Sequence, residues 1–462
     1  MTRDDRREPS VDPGALLEAE HALREANRSF AQRYRGDDDR RQPVQTLIEG
    51  AQHFTADVAQ RRGAQALRAI DEYAPTTDAM GRVFGIADHP ALSTIVERVR
   101  EKLTRAPIED YRIDFEDGYG VRAGDEEDRQ VAIVASAIES AGREGLLPPM
   151  IGVRIKPLTD ELRERSMRTL DLLVTRLVRA NALPVDWTIT LPKVTVLEQV
   201  DYFVAFLRAL ETSLGLTDGA LTFEIMVEVP QAILDISGGS LLPRMVDAAD
   251  GRLTAIDFGT YDYTAGVNIS AAHQRLRHPA CDFAKHMIQV AFAGTGIRIA
   301  DGSTALLPVP VHANEEGTSL DDAHRADNVA SVHAAWRLHF DDVRHSLANG
   351  FYQGWDLHAA QLVSRYAAVS SFYLEGVAPA AARLRTFLSK AASAALVGGM
   401  LDEPATGQAL LGFFIRGMQA GAISEREAMD MTGLSASELR TRSIVQIMRA
   451  RGVTSADYSI GR

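Results

Sequence analysis

Carboxylates gather where apolar runs end in this sequence. Asp114-Phe115-Glu116-Asp117-Gly118 follows Tyr111-Arg112-Ile113, Glu228 closes Phe223-Glu224-Ile225-Met226-Val227 just ahead of Pro230, and Asp257-Phe258-Gly259-Thr260-Tyr261-Asp262 closes another run. Acidic residues are poor strand formers, so three of them in four positions at Asp114–Asp117 mark either a binding edge or a solvated turn with a helix cap. Period-two alternation puts Glu224, Met226 and Glu228 on one face, and a glutamate turned into a core needs a cation or a partner. Glu228 and Asp262 would together supply two carboxylates from neighbouring strands. No Cys or His cluster accompanies them, and an oxygen-only donor set selects a hard cation: Mg2+ first, Mn2+ as its substitute. Asp262 by itself also reads as an ordinary loop aspartate.

Two cations sit at comparable positions. Arg154, in Arg154-Ile155-Lys156-Pro157, would be buried and therefore needs an anionic partner, which is either a ligand carboxylate or one of the acids above. Lys193, in Leu191-Pro192-Lys193, ends another run and reads equally as a surface lysine. Gly259 lets backbone come close to a ligand.

These residues need strands to hold them. Strand patterns run over Val44–Glu49, Tyr111–Phe115, Ile151–Ile155, Trp187–Leu191, Leu221–Val227, Leu253–Phe258, Gly296–Ala300 and Tyr352–Leu357, with helical patterns such as Ala91–Leu103, Glu127–Ala141, Thr159–Arg179 and Leu197–Leu214 between them. Alternation of this kind predicts a parallel α/β fold. Eight strands is the count of a closed (β/α)8 TIM barrel, whose chemistry sits at the C-terminal strand ends; an open doubly wound sheet is the alternative. A helical extension (1–42), the barrel (43–375) and a C-terminal helical cap (376–462) complete the expected organisation, with 377–450 read as all-helical.

Composition narrows the class. The 462 residues are 45% hydrophobic, with 50 Lys+Arg against 63 Asp+Glu. A net charge of −13 disfavours a nucleic-acid partner. A single cysteine, Cys281, excludes an internal disulfide or a Cys-based zinc site. The charged N-terminus has no secretory core and no run is long enough for a membrane span, so a cytoplasmic protein is expected.

The order of motifs, Asp114-Phe-Glu-Asp117, Arg154-Ile-Lys, Leu191-Pro-Lys193, Val227-Glu-Val-Pro230, Phe258-Gly-Thr-Tyr-Asp262 and Gly354-Trp-Asp-Leu-His358, resembles that of the citrate lyase β-subunit-like (HpcH/HpaI) aldolases. Malyl-CoA and citramalyl-CoA lyases belong there, within the pyruvate/phosphoenolpyruvate barrel superfamily, and malate synthase is a more distant cousin. The similarity runs from about Val44 to Glu403. It implies that Glu228 and Asp262 bind Mg2+ directly, that Glu116 and Asp117 hold metal-bound waters, and that Arg154 binds oxygens of a keto acid or acyl carbonyl. The backbone at Gly259 and Thr260 would hold a substrate carboxylate, with Lys193 also at the substrate. In Gly399-Met-Leu-Asp-Glu-Pro404, which alone would read as a helix start, the resemblance makes Asp402 the acid/base of a lid often shared between subunits, so a homo-oligomer is expected.

The implied activity is aldol or Claisen chemistry through an enolate: a carbon–carbon lyase or synthase acting on a small 2-oxo acid such as glyoxylate or pyruvate, with or without an acyl-CoA partner. Within the superfamily a phosphoenolpyruvate phosphotransferase or mutase is the alternative, and a non-catalytic binding barrel is another. A Schiff-base route would use Lys193 or Lys156. The chain departs from the family at Glu49-Gly50-Ala51-Gln52-His53, where Pro-Gly/Ala-Asp-Arg is usual, at Val229-Pro230-Gln231 instead of Thr-Pro-Arg, and at His358-Ala359 instead of His-Pro. The metal half of the site is thus kept and the donor half altered. No Lys/Arg-rich cluster marks a place for the phosphates of a coenzyme A thioester.

Overall fold

A computed structural model describes residues 13–36, 40–313, 319–389, 395–397, 400–402 and 404–452; of residues 13 and 395–404 it describes backbone alone. Eight parallel strands close into a barrel in sequence order: β1 (Gln45–Gly50), β2 (Asp110–Asp114), β3 (Met150–Arg154), β4 (Trp187–Leu191), β5 (Phe223–Val227), β6 (Leu253–Phe258), β7 (Arg298–Asp301) and β8 (Gln353–Asp356). Closure is through β1 and β8, with Gln45 opposite Gly354 and Leu47 opposite Asp356. Each sequence pattern therefore became one barrel strand, shifted by at most two residues at an end.

Alternation sorts the strand residues. Tyr111, Ile113, Ile225, Ile256 and Phe258 face outward into the apolar layer beneath the helices. Arg112, Glu224 and Asp257 face inward and are buried. The inward Glu224 finds its partner within the protein: Arg112 Nε donates to its Oε1 at 2.9 Å, and Arg112 Nη2 reaches Asp110 at 2.8 Å. Above this charged layer Ile48, Met226, Ala300 and Trp355 form a small apolar floor.

The barrel's last helix, Gln361–Ser389, is continuous through residue 375. The cap corrects the all-helical expectation for 377–450. Its backbone contains an antiparallel strand pair, β9 (Ala395–Val397) and β10 (Met400–Asp402), with Asp402 opposite Ala395. Helix Pro404–Gln419 follows, and three short helices complete the described cap. The N-terminal helix Leu17–Arg33 buries none of its residues, so Leu17, Leu23 and Phe30 stay exposed. Residues 1–12 and the aspartates of the 35–42 loop (37–39) lie outside the described residues. No helix of the described residues is long and apolar enough to cross a membrane.

Candidate active site

A cavity of about 680 Å³ opens at the C-terminal ends of the strands. Asp114, Asp117, Arg154, Glu228, Gly259, Thr260 and Asp262 line it on one side, and Glu49, His53, Arg62 and His358 line it on the other. Eight of the nine residues singled out from sequence thus meet within one rim: Glu116, Asp117, Arg154, Lys193, Glu228 and Asp262 are joined by the contacts below, Gly259 packs against Glu228, and Thr260 lines the same cavity. Asp402 lies on β10, and its side chain is outside the described residues.

Arg154 leaves the end of β3 and is gripped by Asp114 at the end of β2. Nε and Nη2 donate to the two carboxylate oxygens at 2.7 and 2.6 Å. The remaining Nη1 lies 3.1 Å from Glu116 Oε2. Asp114 also accepts from the backbone N–H of Glu116 and Gly118, at 2.9 and 2.7 Å. Burial works to raise the Asp114 pKa, but the charge and hydrogen bonds of Arg154 with the two backbone donors outweigh it and hold the carboxyl below its usual range. The same partnership raises the Arg154 pKa against its own burial. The sequence showed that Arg154 needed an acid; the structure shows that acid to be Asp114, which leaves Nη1 as the arm facing the cavity.

Lys193 sits just past β4 at φ 52°, a left-handed conformation that turns its side chain back over the rim. Its Nζ meets Glu116 Oε1, and lies 3.2 Å from both Asp117 Oδ2 and Asp262 Oδ2. Its backbone N–H donates to Glu228 Oε1 at 2.7 Å. Burial opposes the charge, but Glu228 and Glu116 win and the ammonium pKa is raised. A Schiff-base nucleophile requires the opposite shift. Lys156 is no better placed: its Nζ is tied to Phe115 O at 2.5 Å and Glu127 Oε2 at 2.8 Å, away from the cavity.

Glu228 is buried, and burial together with the neighbouring Glu116 and Asp262 carboxylates pushes its pKa well up despite Lys193 and Arg154. Burial raises Glu116 as well, against the pull of Arg154 and Lys193. Gly259 is required by this packing rather than by its φ. A Cβ there would collide with Glu228 Cβ and come 2.7 Å from Oε2. Thr260 is buried against Gly302, and its Oγ1 has no hydrogen-bond partner.

The donor set fits a hard cation: two carboxylates from adjacent strand ends, a crowded acidic rim, and an orphaned hydroxyl at Thr260 Oγ1. Among the described residues no three His, Cys, Asp or Glu surround one point, so a cation here would complete its shell with water or substrate, as Mg2+ commonly does.

On the opposite wall the sequence reading named Glu49, His53 and His358 as departures from the family and missed Arg62. Arg62, from helix Val58–Tyr73, donates from Nε to Glu49 Oε2 at 2.8 Å, and Tyr111 Oη donates to the same oxygen at 2.9 Å. His358 Nδ1 accepts from the Ala360 N–H at 3.2 Å. Burial and the Arg62 charge lower its pKa, so the ring is neutral near pH 7, and its Nε2 lies 3.2 Å from Gln65 Nε2. An arginine and an acid therefore do stand near the altered first-strand loop, but from positions 62 and 49.

The fold has known counterparts. A citrate lyase from Burkholderia xenovorans LB400 matches with TM-score 0.52 and 20% identity, over 73% of this chain and 92% of that one. Haloferax volcanii malate synthase in a pyruvate/acetyl-CoA ternary complex gives 0.46 and 13%, over 88% and 99%. An HpcH/HpaI aldolase/citrate lyase family protein from Burkholderia cenocepacia J2315 gives 0.35 and 14%, over 73% and 95%. No curated protein matches by sequence. A family profile described as "Domain of unknown function (DUF6986)" matches residues 23–447, nearly the whole chain, and the protein belongs to that family.

Proposed function

We propose that the protein is a Mg2+-dependent carbon–carbon lyase or synthase of the aldol or Claisen type, acting on a small 2-oxo acid such as glyoxylate or pyruvate, with or without an acyl-CoA partner. The observation that supports it is an acidic cluster at the C-terminal strand ends, where Lys193 Nζ meets Glu116, Asp117 and Asp262, its backbone N–H holds Glu228, and Arg154 stands beside them at the cavity.

Glu228 and Asp262 would hold the cation, with Glu116 and Asp117 facing its waters. Bound there, Mg2+ would polarise the carbonyl oxygen of the oxo acid. Arg154 Nη1 would add fixed positive charge where negative charge develops on the substrate oxygens, and Asp114 keeps that arm from moving. Thr260 Oγ1 and the backbone at Gly259 would receive the substrate carboxylate. Lys193 balances the acids around it and does not line the cavity. Asp402 would take the proton from the donor's α-carbon, or return it in cleavage, within one chain or across a homo-oligomer.

One observation favours a second reading, a binding barrel without turnover: the Lys193 ammonium already occupies the centre of the acidic cluster. Proton NMR in D2O separates the two. Pyruvate, acetyl-CoA and propionyl-CoA are offered singly with Mg2+, with and without glyoxylate. Exchange of α-protons that EDTA abolishes supports the lyase, with the exchanging donor deciding on CoA; no exchange with any donor favours the binding barrel. Asp402→Asn should slow exchange by about 10²-fold or more, the scale of a general base, while Mg2+ affinity measured by calorimetry stays unchanged. Weakened Mg2+ binding in that variant would remove Asp402 from the proton-transfer role.

A further inference from the structure

One helix keeps its apolar face uncovered among the described residues. Every residue of helix Leu17–Arg33 is exposed. Its last turn is tied to the barrel, where Arg33 Nη1 donates to Asp247 Oδ1 at 2.9 Å and Nη2 donates to Pro243 O at 3.2 Å. A helix of this length is marginal in water by itself, because packing of an apolar face supplies most helical stability in proteins. Residues 1–12, which precede it, offer Met1 and Val11 as their large apolar side chains, too few to cover such a face.

The face has an order. Leu16, Ala19, Leu23, Ala26 and Phe30 recur at alternating intervals of three and four residues, the seam spacing of paired helices in a coiled coil. Leu23 is 59% and Phe30 55% exposed. Large and small residues alternate along the seam. Against an antiparallel copy of itself, Leu23 falls opposite Ala26 and Phe30 opposite Ala19, so each large side chain meets a small one and the layers interdigitate. A parallel copy in register would stack Phe30 on Phe30 and leave gaps at the alanines.

Charge agrees with that direction. Residues 17–25 hold Glu18, Glu20 and Glu25 against Arg24, whereas residues 26–33 hold Arg28 and Arg33 and no acid. An antiparallel pair sets the acidic half of each helix beside the basic half of the other; a parallel pair sets like beside like. The same balance argues against a lipid surface, since a helix that lies on anionic lipid carries an excess of Lys and Arg on its polar face. The net charge of −13 opposes that surface as well. We propose that helix Leu17–Arg33 is a self-association surface, and that its partner is the same helix of a second copy of this chain, packed antiparallel. The surface does not depend on the reading of the acidic rim.

The test is sedimentation velocity of the full-length protein over a wide concentration range, with Leu23→Glu and the double substitution Leu23→Glu/Phe30→Glu beside the wild type. The wild type should form a dimer, and each variant should weaken it by about tenfold or more, the cost of a charge placed in an apolar seam. Both side chains are exposed in the single chain, so circular dichroism should show the variants folded, and a loss of association then reports the interface. A spin label at Glu18→Cys reads the direction, since the native Cys281 is buried. The label should lie about 20 Å or more from its copy in an antiparallel pair, from the rise of about 1.5 Å per residue. A markedly shorter distance would overturn the antiparallel arrangement. A wild type that stays monomeric would overturn the proposal, as would a dimer indifferent to the double substitution, because the interface would then lie elsewhere. So would a monomer that binds phosphatidylserine vesicles through Leu23, because the face would then belong to a lipid surface.

Discussion

The two walls of the large cavity are built on different terms. On the β2–β6 side every charged group depends on another: Arg154 on Asp114, Lys193 on Glu116, Asp117 and Asp262, and Glu228 on the Lys193 backbone. On the β1–β8 side a single closed pair, Arg62 with Glu49, stands beside histidines, and His358 is neutral. The first wall crowds carboxylates around Lys193 and leaves the buried Thr260 hydroxyl without a partner. The second balances its own charge and offers shape. A wall of the first kind selects a cation whatever the organic substrate is; a wall of the second kind can vary with the substrate. Under the proposed function, the common chemistry would fall to β2–β6 and the specificity to β1–β8.

The comparison is most directly broken at the cation. Glu228→Gln and Asp262→Asn should abolish Mg2+ binding in calorimetry and lower any Mg2+-dependent turnover by about 10²–10³-fold or more, the scale of losing a preorganised charge. Arg62→Ala should leave Mg2+ affinity as it was and act on KM for the organic substrate, by about tenfold, the worth of one charged hydrogen bond. Equal loss of Mg2+ binding in Arg62→Ala and Glu228→Gln would show that the two walls are one network, and the division proposed above would fall.

A smaller effect is expected from Gly259→Ala, which tests how tightly the first wall is packed. The added methyl would collide with Glu228, the residue whose placement matters most. Overpacking of this kind costs about 1–3 kcal/mol, read as a lower thermal midpoint together with weaker Mg2+ binding. A variant with unchanged affinity for Mg2+ would show that Glu228 has room to move.

Much of this arrangement was legible in the sequence, and particular residues show where legibility ended. Apolar runs alternating with helical patterns gave all eight strands, and the strand-end positions put Glu228 and Asp262 on the same rim. Alternation could not say which acid faces Arg154, since parity assigns a face and not an opposing partner; Asp114 and Glu116 share that parity, and only the β2–β3 register, Asp114 opposite Arg154, decides. Arg62 was invisible because it reaches the cavity from a helix, outside any strand-end motif. Gly259 was read as room for a ligand, whereas the atoms closest to it belong to Glu228. Asp257 gave no signal beyond its parity, yet it is fully buried with both oxygens unpartnered, and burial and Glu224 push its pKa well up. The β9–β10 pair was missed because two three-residue runs are too short for periodicity to register.

The mildest prediction concerns pH and uses opposite shifts on the first wall. Asp114 is held below its usual range, so the stability it contributes is present above the unfolded carboxyl value of ~3.9 and is lost as pH falls through its folded pKa. Glu228 is shifted the other way. Between the unfolded value of ~4.3 and its raised folded pKa, the folded protein holds a proton that the unfolded chain has released, so its contribution declines as pH rises through that window. A cation at Glu228 must displace that proton, and its binding should therefore strengthen with pH. The increase in thermal midpoint produced by saturating Mg2+ should accordingly be larger at pH 8 than at pH 5.5, and Glu228→Gln should remove the dependence. An Mg2+ effect that is independent of pH in the wild type would mean that Glu228 is already ionised without the metal, with Lys193 alone sufficing to hold its charge.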